Sequence, residues 1–436
     1  MNSGKGNALA LLPLAVFLVI FIGTGTWLTL SGTKMAFYQV SATVAILPAI
    51  VLAVMMAREK ATESIGAFIE GAGDGSIVTM CMIYLLAGAF AKVAGSVGGV
   101  ESTVNFGLSI IPASMVLPGL FVIGAFISTA MGTSMGTIAA VAPIAVGVAA
   151  KTDISMALLV GAVAGGAMFG DNLSMISDTT IAATRTQGCN MQDKFKMNFG
   201  IALPAAILSI LIFAFLGASG SVHHSGEYQI VKILPYLGVL GLALAGINVF
   251  IVLMTGIVLA GGVGLVMNDG YTLLNLSKDI YGGFTGMQEI MVLSLMIGGL
   301  GALIKRGGGI TSILNFIERV TKGSRSQKAG ELSIAALVSL VNCCTANNTV
   351  AIIVTGGVAK EIAQKNGLDP RRSASLLDIF SCVIQGLVPY GAQILLAGSI
   401  ASLSPISIMS NMYYCYILAA VSILSILFGF PKVRKQ

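Results

Sequence analysis

The segment GDNLSMISDTT (residues 170–180) sets two carboxylates, Asp171 and Asp178, among Asn172, Ser174, Ser177, Thr179 and Thr180 within an otherwise apolar stretch, 156–182. A carboxylate at the depth of a bilayer centre costs about 2.5–3.5 kcal/mol. Such groups mark ion or proton pathways when they are kept at all. Ionised, they coordinate Na⁺; protonated, they carry H⁺. Ser177 as a helix N-cap with Asp178 in the first turn would account for Asp178 alone. It leaves Asp171 unexplained. Asp171, Asp178, Asn172, Ser174 and Thr179 therefore form the expected cation-coupling set.

Three further polar interruptions break apolar runs. STAMGTSMGT (128–137) offers Thr133 and Thr137 to the cation and Ser134 to a solute. NCCTANNT (342–349) offers Asn342, Thr345, Asn347, Asn348 and Thr349, and QGLVPYGAQ (385–393) offers Gln385, Tyr390 and Gln393. These nine substrate-contact candidates, Ser134 included, are neutral hydrogen-bonding groups. Asp378 lies about two turns before the last segment and is a candidate proton relay. Polar backbone at membrane depth is tolerated only where it is buried in protein or lines a cavity. Capping and packing of half-helices is the competing account of the first two of these segments. GTSMG (132–136) formally fits G-x-S-x-G, which raises an intramembrane serine hydrolase as a remote alternative. That motif needs a strand-to-helix turn and a base, and both histidines, His223 and His224, sit together in SGSVHHSGE. The six cysteines lack paired spacing and read as small apolar residues, so neither a metal site nor a cofactor is expected.

The elements that must hold these residues are membrane helices. Of 436 residues, 56% are hydrophobic and 10% charged, against roughly a quarter charged in soluble domains. Apolar runs long enough to span fall at 8–30, 39–56, 76–95, 198–217, 231–247, 249–267, 288–304 and 411–430. Blocks 112–150 and 331–363 are broken in the middle, as two spans or as a re-entrant hairpin; 156–182 and 374–404 read as interrupted helices. The N-terminal run reads as a retained helix. With the N-terminus inside, most Lys and Arg fall on the cytoplasmic side; only Lys34, Lys92, Lys151, Lys232 and Lys278 fall opposite. The net charge of +6 is thus a loop bias, with the lipid bilayer as partner and no nucleic acid. No G-x-x-x-x-G-K-[ST] is present, which argues against an ATP-driven pump.

The chain also repeats itself. Met82–Phe106 aligns with Val292–Phe316 at one offset, pairing Leu85/Leu295, Gly88/Gly298, Gly98/Gly308, Gly99/Gly309, Ser102/Ser312, Asn105/Asn315 and Phe106/Phe316. Span 39–56 maps onto 249–266, and Thr133–Ala149 onto Thr345–Glu361. Loop 96–111 lacks basic residues where its partner 305–330 is rich in them, and loop 183–197 is basic where its partner near 405–410 is not. Equivalent loops then lie on opposite faces. The expected architecture is an all-α polytopic membrane protein of two inverted repeats, 1–218 and 231–436, joined by an outer loop at 219–230. Secondary transporters place their sites where the interrupted helices of such repeats meet. The amphipathic stretches 61–71 and 271–284 read as interfacial helices, either hinges or plain surface helices.

The run GDNLSMISDTTIAATRTQGCNMQDKF (170–195) resembles the NhaC-type Na⁺/H⁺ antiporter family, and STAMGTSMGT resembles its small-residue hairpin motif. The length and the ATRTQG continuation are similar to the YuiF-like branch of predicted amino-acid transporters. The resemblance spans about residue 60 to the C-terminus. It implies the ion-transporter superfamily fold: a scaffold, usually dimeric, and a mobile region with two hairpins working by an elevator-like motion. It carries onto Thr133–Thr137, Asp171, Asn172, Ser174, Asp178 and Thr179. Met175 stands where many relatives have Pro, so the local break is expected to differ in shape. The function expected is H⁺- or Na⁺-coupled transport of a small solute, most readily an amino acid such as histidine, in the inner membrane with both termini cytoplasmic. Plain Na⁺/H⁺ antiport is the alternative.

Overall fold

A computed structural model describes residues 6–33, 39–57, 59–175, 177–217, 226–321 and 326–431. His223 and His224 lie outside the described residues. Among the described residues every regular element is helical. In the first half, α1 (Leu12–Leu30), α2 (Ala42–Ala45), α3 (Leu47–Met56), α4 (Ala61–Ala72), α5 (Gly75–Ser96) and α6 (Gly99–Ile110) precede a hairpin, α7 (Ala113–Met131) and α8 (Ser134–Ala149). A broken helix, α9 (Met156–Leu173) and α10 (Asp178–Gln187), and the long α11 (Met191–Gly217) follow. The second half runs α12 (Ile230–Leu244), α13 (Val249–Met267), α14 (Leu273–Gly286), α15 (Gln288–Arg306) and α16 (Gly309–Thr321). It too closes with a hairpin, α17 (Gln327–Thr345) and α18 (Asn348–Lys365), then a broken helix, α19 (Pro370–Gln385) and α20 (Ala392–Ala401), then α21 (Pro405–Ser410) and α22 (Tyr413–Phe428).

Seven helical stretches among the described residues are long and apolar enough to cross a bilayer, and several shorter apolar helices accompany them. The protein is a multi-pass membrane protein. Its exposed residues include many large hydrophobics, such as Val19, Trp27, Phe126, Phe215, Val258 and Phe428. Water would not tolerate that surface; lipid does.

The halves interlock. The amphipathic helix of each half packs on the helix that follows the amphipathic one in the other: α4 on α15, and α14 on α5. Glycine makes these contacts possible. A Cβ at Gly88 would lie 2.4 Å from the Gly283 carbonyl oxygen, and one at Gly298 would lie 2.8 Å from that of Gly71. The half-helices beyond the breaks are exchanged too, with α10 packed on α18 and α20 on α8. Residues 210 positions apart meet directly: the Cys81 thiol donates to the Met291 carbonyl, and the Tyr84 and Ser294 hydroxyls lie 3.3 Å apart.

Three loop expectations need correcting: 96–111 carries α6, 305–330 carries α16, and the third is 183–197. Residues 183–197 are not a basic cytoplasmic loop: α10 runs to Gln187, and α11 starts at Met191, well before the expected 198. Lys194 is carried inside, 1% exposed. It survives there because every acceptor its ammonium needs is supplied from neighbouring helices, as described next.

Candidate cation and solute site

Both hairpins turn inside the molecule by the same local device. The residue after the first arm is left-handed, Gly132 at φ 71° and Ala346 at φ 49°. The next residue is extended and caps the second arm: Thr133 accepts from the Gly136 N–H, and Asn347 from the Val350 N–H. Both tips reach one cavity of about 680 Å³, lined also by Asp171, Ser177, Asp178 and Thr179 from the first broken helix and by Gln385 and Gln393 from the second. Asp74, Thr79, Asn248, Asn348 and Thr349 complete much of its polar wall. The arms α8 and α18 and the half-helix α10 all begin at this cavity, so their unpaired N–H groups and positive dipole ends converge on it.

Asp171 is the hub. It is buried, and its carboxylate accepts from Ser134 at 2.8 Å and from Ser177 at 2.5 Å. Ser134 in turn accepts from the Gln393 amide at 3.0 Å, and the Ser177 and Thr179 hydroxyls lie 2.9 Å apart. One network therefore joins the first hairpin tip, the first break and the second broken helix. Ser177 occupies the N-cap position of α10 but makes no capping bond; its hydroxyl turns to Asp171 instead. The amide oxygens of Gln385 and Gln393 are buried without partners. Buried acceptors left open cost about 1–3 kcal/mol each, and both residues line the cavity, so a donor or a cation there would satisfy them.

Of the expected residues, Thr133, Ser134, Asp171, Asp178, Thr179, Asn347, Asn348, Thr349, Gln385 and Gln393 come together at the cavity. Thr137 bonds the Thr133 carbonyl one turn behind the tip. The Ser174 carbonyl accepts from Thr180, and Asn342 donates to the Ser381 carbonyl. Thr345 bonds the Val341 and Asn347 carbonyls. Tyr390 donates to the Cys343 carbonyl at 2.6 Å and packs edge-on against Phe17. These five brace the cavity from behind. GTSMG sits in a helix–turn–helix, and its serine bonds a carboxylate, so the nucleophile-elbow context is not there.

Asp378 belongs to a second cluster. It pairs with Lys194 at 2.7 Å, both 1% exposed. The Lys194 ammonium also donates to Thr180 at 2.7 Å and to the Asn172 carbonyl at 3.1 Å. Asn172 and Thr180 flank the first break, so the lysine spans it. Asn198 adds bonds to the Asn172 carbonyl and to Asp378, while the Asn172 amide contacts Cys382 and Tyr414. Sequence reasoning missed Lys194, Asn198 and Asp74. The signal for Lys194 was a basic residue that the 27-residue helix α11 could carry inward. Asp74 lies just beyond the amphipathic stretch 61–71, outside the polar interruptions that drew the sequence reading.

A model of the Na⁺/H⁺ antiporter family matches residues 6–218 and 227–430. The chain belongs to that family. It is 26% identical to the Na⁺/H⁺ antiporter NhaC of Bacillus subtilis, over 82% of this chain and 84% of the relative. It is 22% identical to the malate-2H⁺/Na⁺-lactate antiporter of the same organism, covering 82% of each. Identity to the arginine/ornithine antiporter ArcD of Halobacterium salinarum is 22%, over 82% of this chain and 79% of the relative. Among solved structures, the YdaH transporter of Alcanivorax borkumensis matches 98% of this chain and 99% of its own, with a TM-score of 0.43 and 14% identity. The relatives support a cation-coupled transporter.

Proposed function

We propose that this antiporter-family protein exchanges H⁺ or Na⁺ for a small organic solute carrying an amino group, with an amino acid such as histidine as the leading class. The observation that carries the reading is Asp171: a buried carboxylate held by two hydroxyls at the edge of a cavity where both hairpin tips and both broken helices meet. Asp171 and Asp178 take the coupling ion. Thr133 and Thr179 stand beside them on the same wall. A cavity of about 680 Å³ falls in the range of small-molecule sites. The described lining includes Asp74, Asp171 and Asp178 but no Lys, Arg or His. That wall suits an ammonium, while helix N-termini suit a carboxylate. Asn347, Asn348, Thr349, Gln385 and Gln393 supply neutral contacts. The two-repeat organisation, 1–218 and 231–436, is part of this proposal and is supported by the exchanged packing. So are an inner-membrane location with cytoplasmic termini, a homodimer and elevator-like access.

Plain Na⁺/H⁺ antiport is the second reading, favoured by the NhaC relative. Purified protein in proteoliposomes separates the two. A lumenal pH dye reports Na⁺-evoked proton movement, and radiolabelled amino acids report solute flux under imposed gradients. Saturable, gradient-driven uptake of an amino acid is the expected result. Proton movement on adding Na⁺, with no amino-acid flux, would establish the second reading instead.

A further inference from the structure

A second cavity of about 470 Å³ adjoins the first, and Asp74 and Asn347 line both. Its walls come from both halves. α4 supplies Ala67 and Gly71, α15 supplies Gly298, Gly301 and Ala302, and α18 supplies Val350 and Val354. It runs along α18 away from the hairpin tip and ends among Glu70, Lys305 and Arg306, all exposed. Gly71 packs on Gly298, eight residues before Arg306 on α15. At 1.5 Å per residue, that contact lies about 12 Å along the helix from the charged rim. Asp74 follows Gly71 by three residues and is exposed to the cavities.

We infer that the second cavity is the passage by which the coupling cation reaches the central site from the face bearing Lys305 and Arg306, with Asp74 at the junction selecting positive charge. The charge along the passage has the right sign. Arg306 is paired with Glu59 at 2.6 Å and with Glu63 at 3.9 Å. The lining itself holds two acids, Glu70 and Asp74, and two bases, Lys305 and Arg306, and Glu59 and Glu63, which lie outside it, offset Arg306. A low-dielectric channel lined by one excess sign concentrates its counter-ion. Asn347, whose side chain caps α18, lines both cavities and so stands where they meet. The inference rests on the reading of the central cavity as the transport site, and its test is separable from that reading.

Val354→Cys places a thiol in the passage without adding bulk, and Ala302→Cys does so from the opposite wall. Reconstituted protein is treated with a cationic trimethylammonium thiosulfonate or its anionic sulfonate counterpart, added to one face at a time. The wild-type protein corrects for native cysteines. The expected result is reaction from one face only, about ten-fold or more faster for the cationic reagent, and loss of coupled transport on labelling. Asp74→Asn should shrink the reagent preference several-fold and raise the cation concentration for half-maximal rate with little change in maximal rate. Equal rates for the two reagents, reaction from both faces, or a preference indifferent to Asp74→Asn would overturn the passage. Full labelling at both positions with unchanged transport would overturn it too, even if Asp171→Asn abolishes coupling.

Discussion

The two broken helices occupy matching places in their halves and have opposite electrostatic designs. In the first, Asp171 faces the cavity, held by the Ser134 and Ser177 hydroxyls and by no basic side chain among the described cavity lining. In the second, the corresponding wall holds amides, Gln385 and Gln393. The acid of that helix, Asp378, is turned away and neutralised by Lys194. A carboxylate with a built-in ammonium has no need of a passing cation; a carboxylate held by hydroxyls does. On the proposed reading, the comparison teaches how two matching broken helices can make a single ion site. One copy keeps its charge available, and the other cancels its charge with a residue of the first half.

The largest effect should come from removing the available charge. Asp171→Asn is nearly isosteric and deletes the charge, but it keeps only one acceptor oxygen, so one of the Ser134 and Ser177 hydroxyls must turn to accept from the new amide. Coupled flux in proteoliposomes should fall to background while the protein still elutes as a folded species in detergent. Retained wild-type flux would remove Asp171 from the ion site.

Next is the cancelled charge. Lys194→Met strands the buried Asp378 charge, leaving Asn198 as donor to Asp378 and to the Asn172 carbonyl, and breaking a buried pair from one side costs about 3–5 kcal/mol. A large drop in thermal midpoint is expected. The double variant Lys194→Met with Asp378→Asn carries no stranded charge and should recover most of that loss. If recovery fails, the lysine holds the break chiefly through Asn172 and Thr180 rather than through Asp378.

A smaller change tests the bridge between the two designs. Gln393→Ala removes the amide that donates to Ser134, a bond of about 1 kcal/mol. The half-saturating cation concentration should rise several-fold, with maximal flux largely kept. Unchanged affinity would mean that the second broken helix does not tune the ion site.

The smallest prediction concerns the hairpin tips. Gly132 suits its left-handed φ, whereas Ala346 adopts φ 49° with a Cβ. Ala346→Gly should raise the thermal midpoint modestly, by about 0.5–1 kcal/mol of stability. Destabilisation would show that the methyl group packs usefully beside Gln385, whose amide donates to the Ala346 carbonyl.

Much of this was legible in the sequence because a bilayer leaves few options. Backbone polar groups inside lipid force helices, so apolar runs report their own structure and the four polar interruptions report where helices break. The breaks fall where the residues placed them: Gly132–Thr133, Ala346–Asn347, Ser174–Ser177 and 386–391. Asp171 stood out because an acid in such a run is costly. Lys194 did not, because a lysine near a span end ordinarily reads as a snorkelling or loop residue.

The sequence by itself determined the helical class, the family, the breaks and the acidic wall, since each depends on local composition or on a motif. Only the tertiary structure decided which polar residues meet. Ser134 reaches Asp171 and Gln393 across 37 and 259 positions, and Lys194 reaches Asp378 across helices. The physical reason is the exchange between halves: α10 packs on α18 and α20 on α8. The cavity is therefore walled by both halves at once, and neither half's residues encode its shape alone.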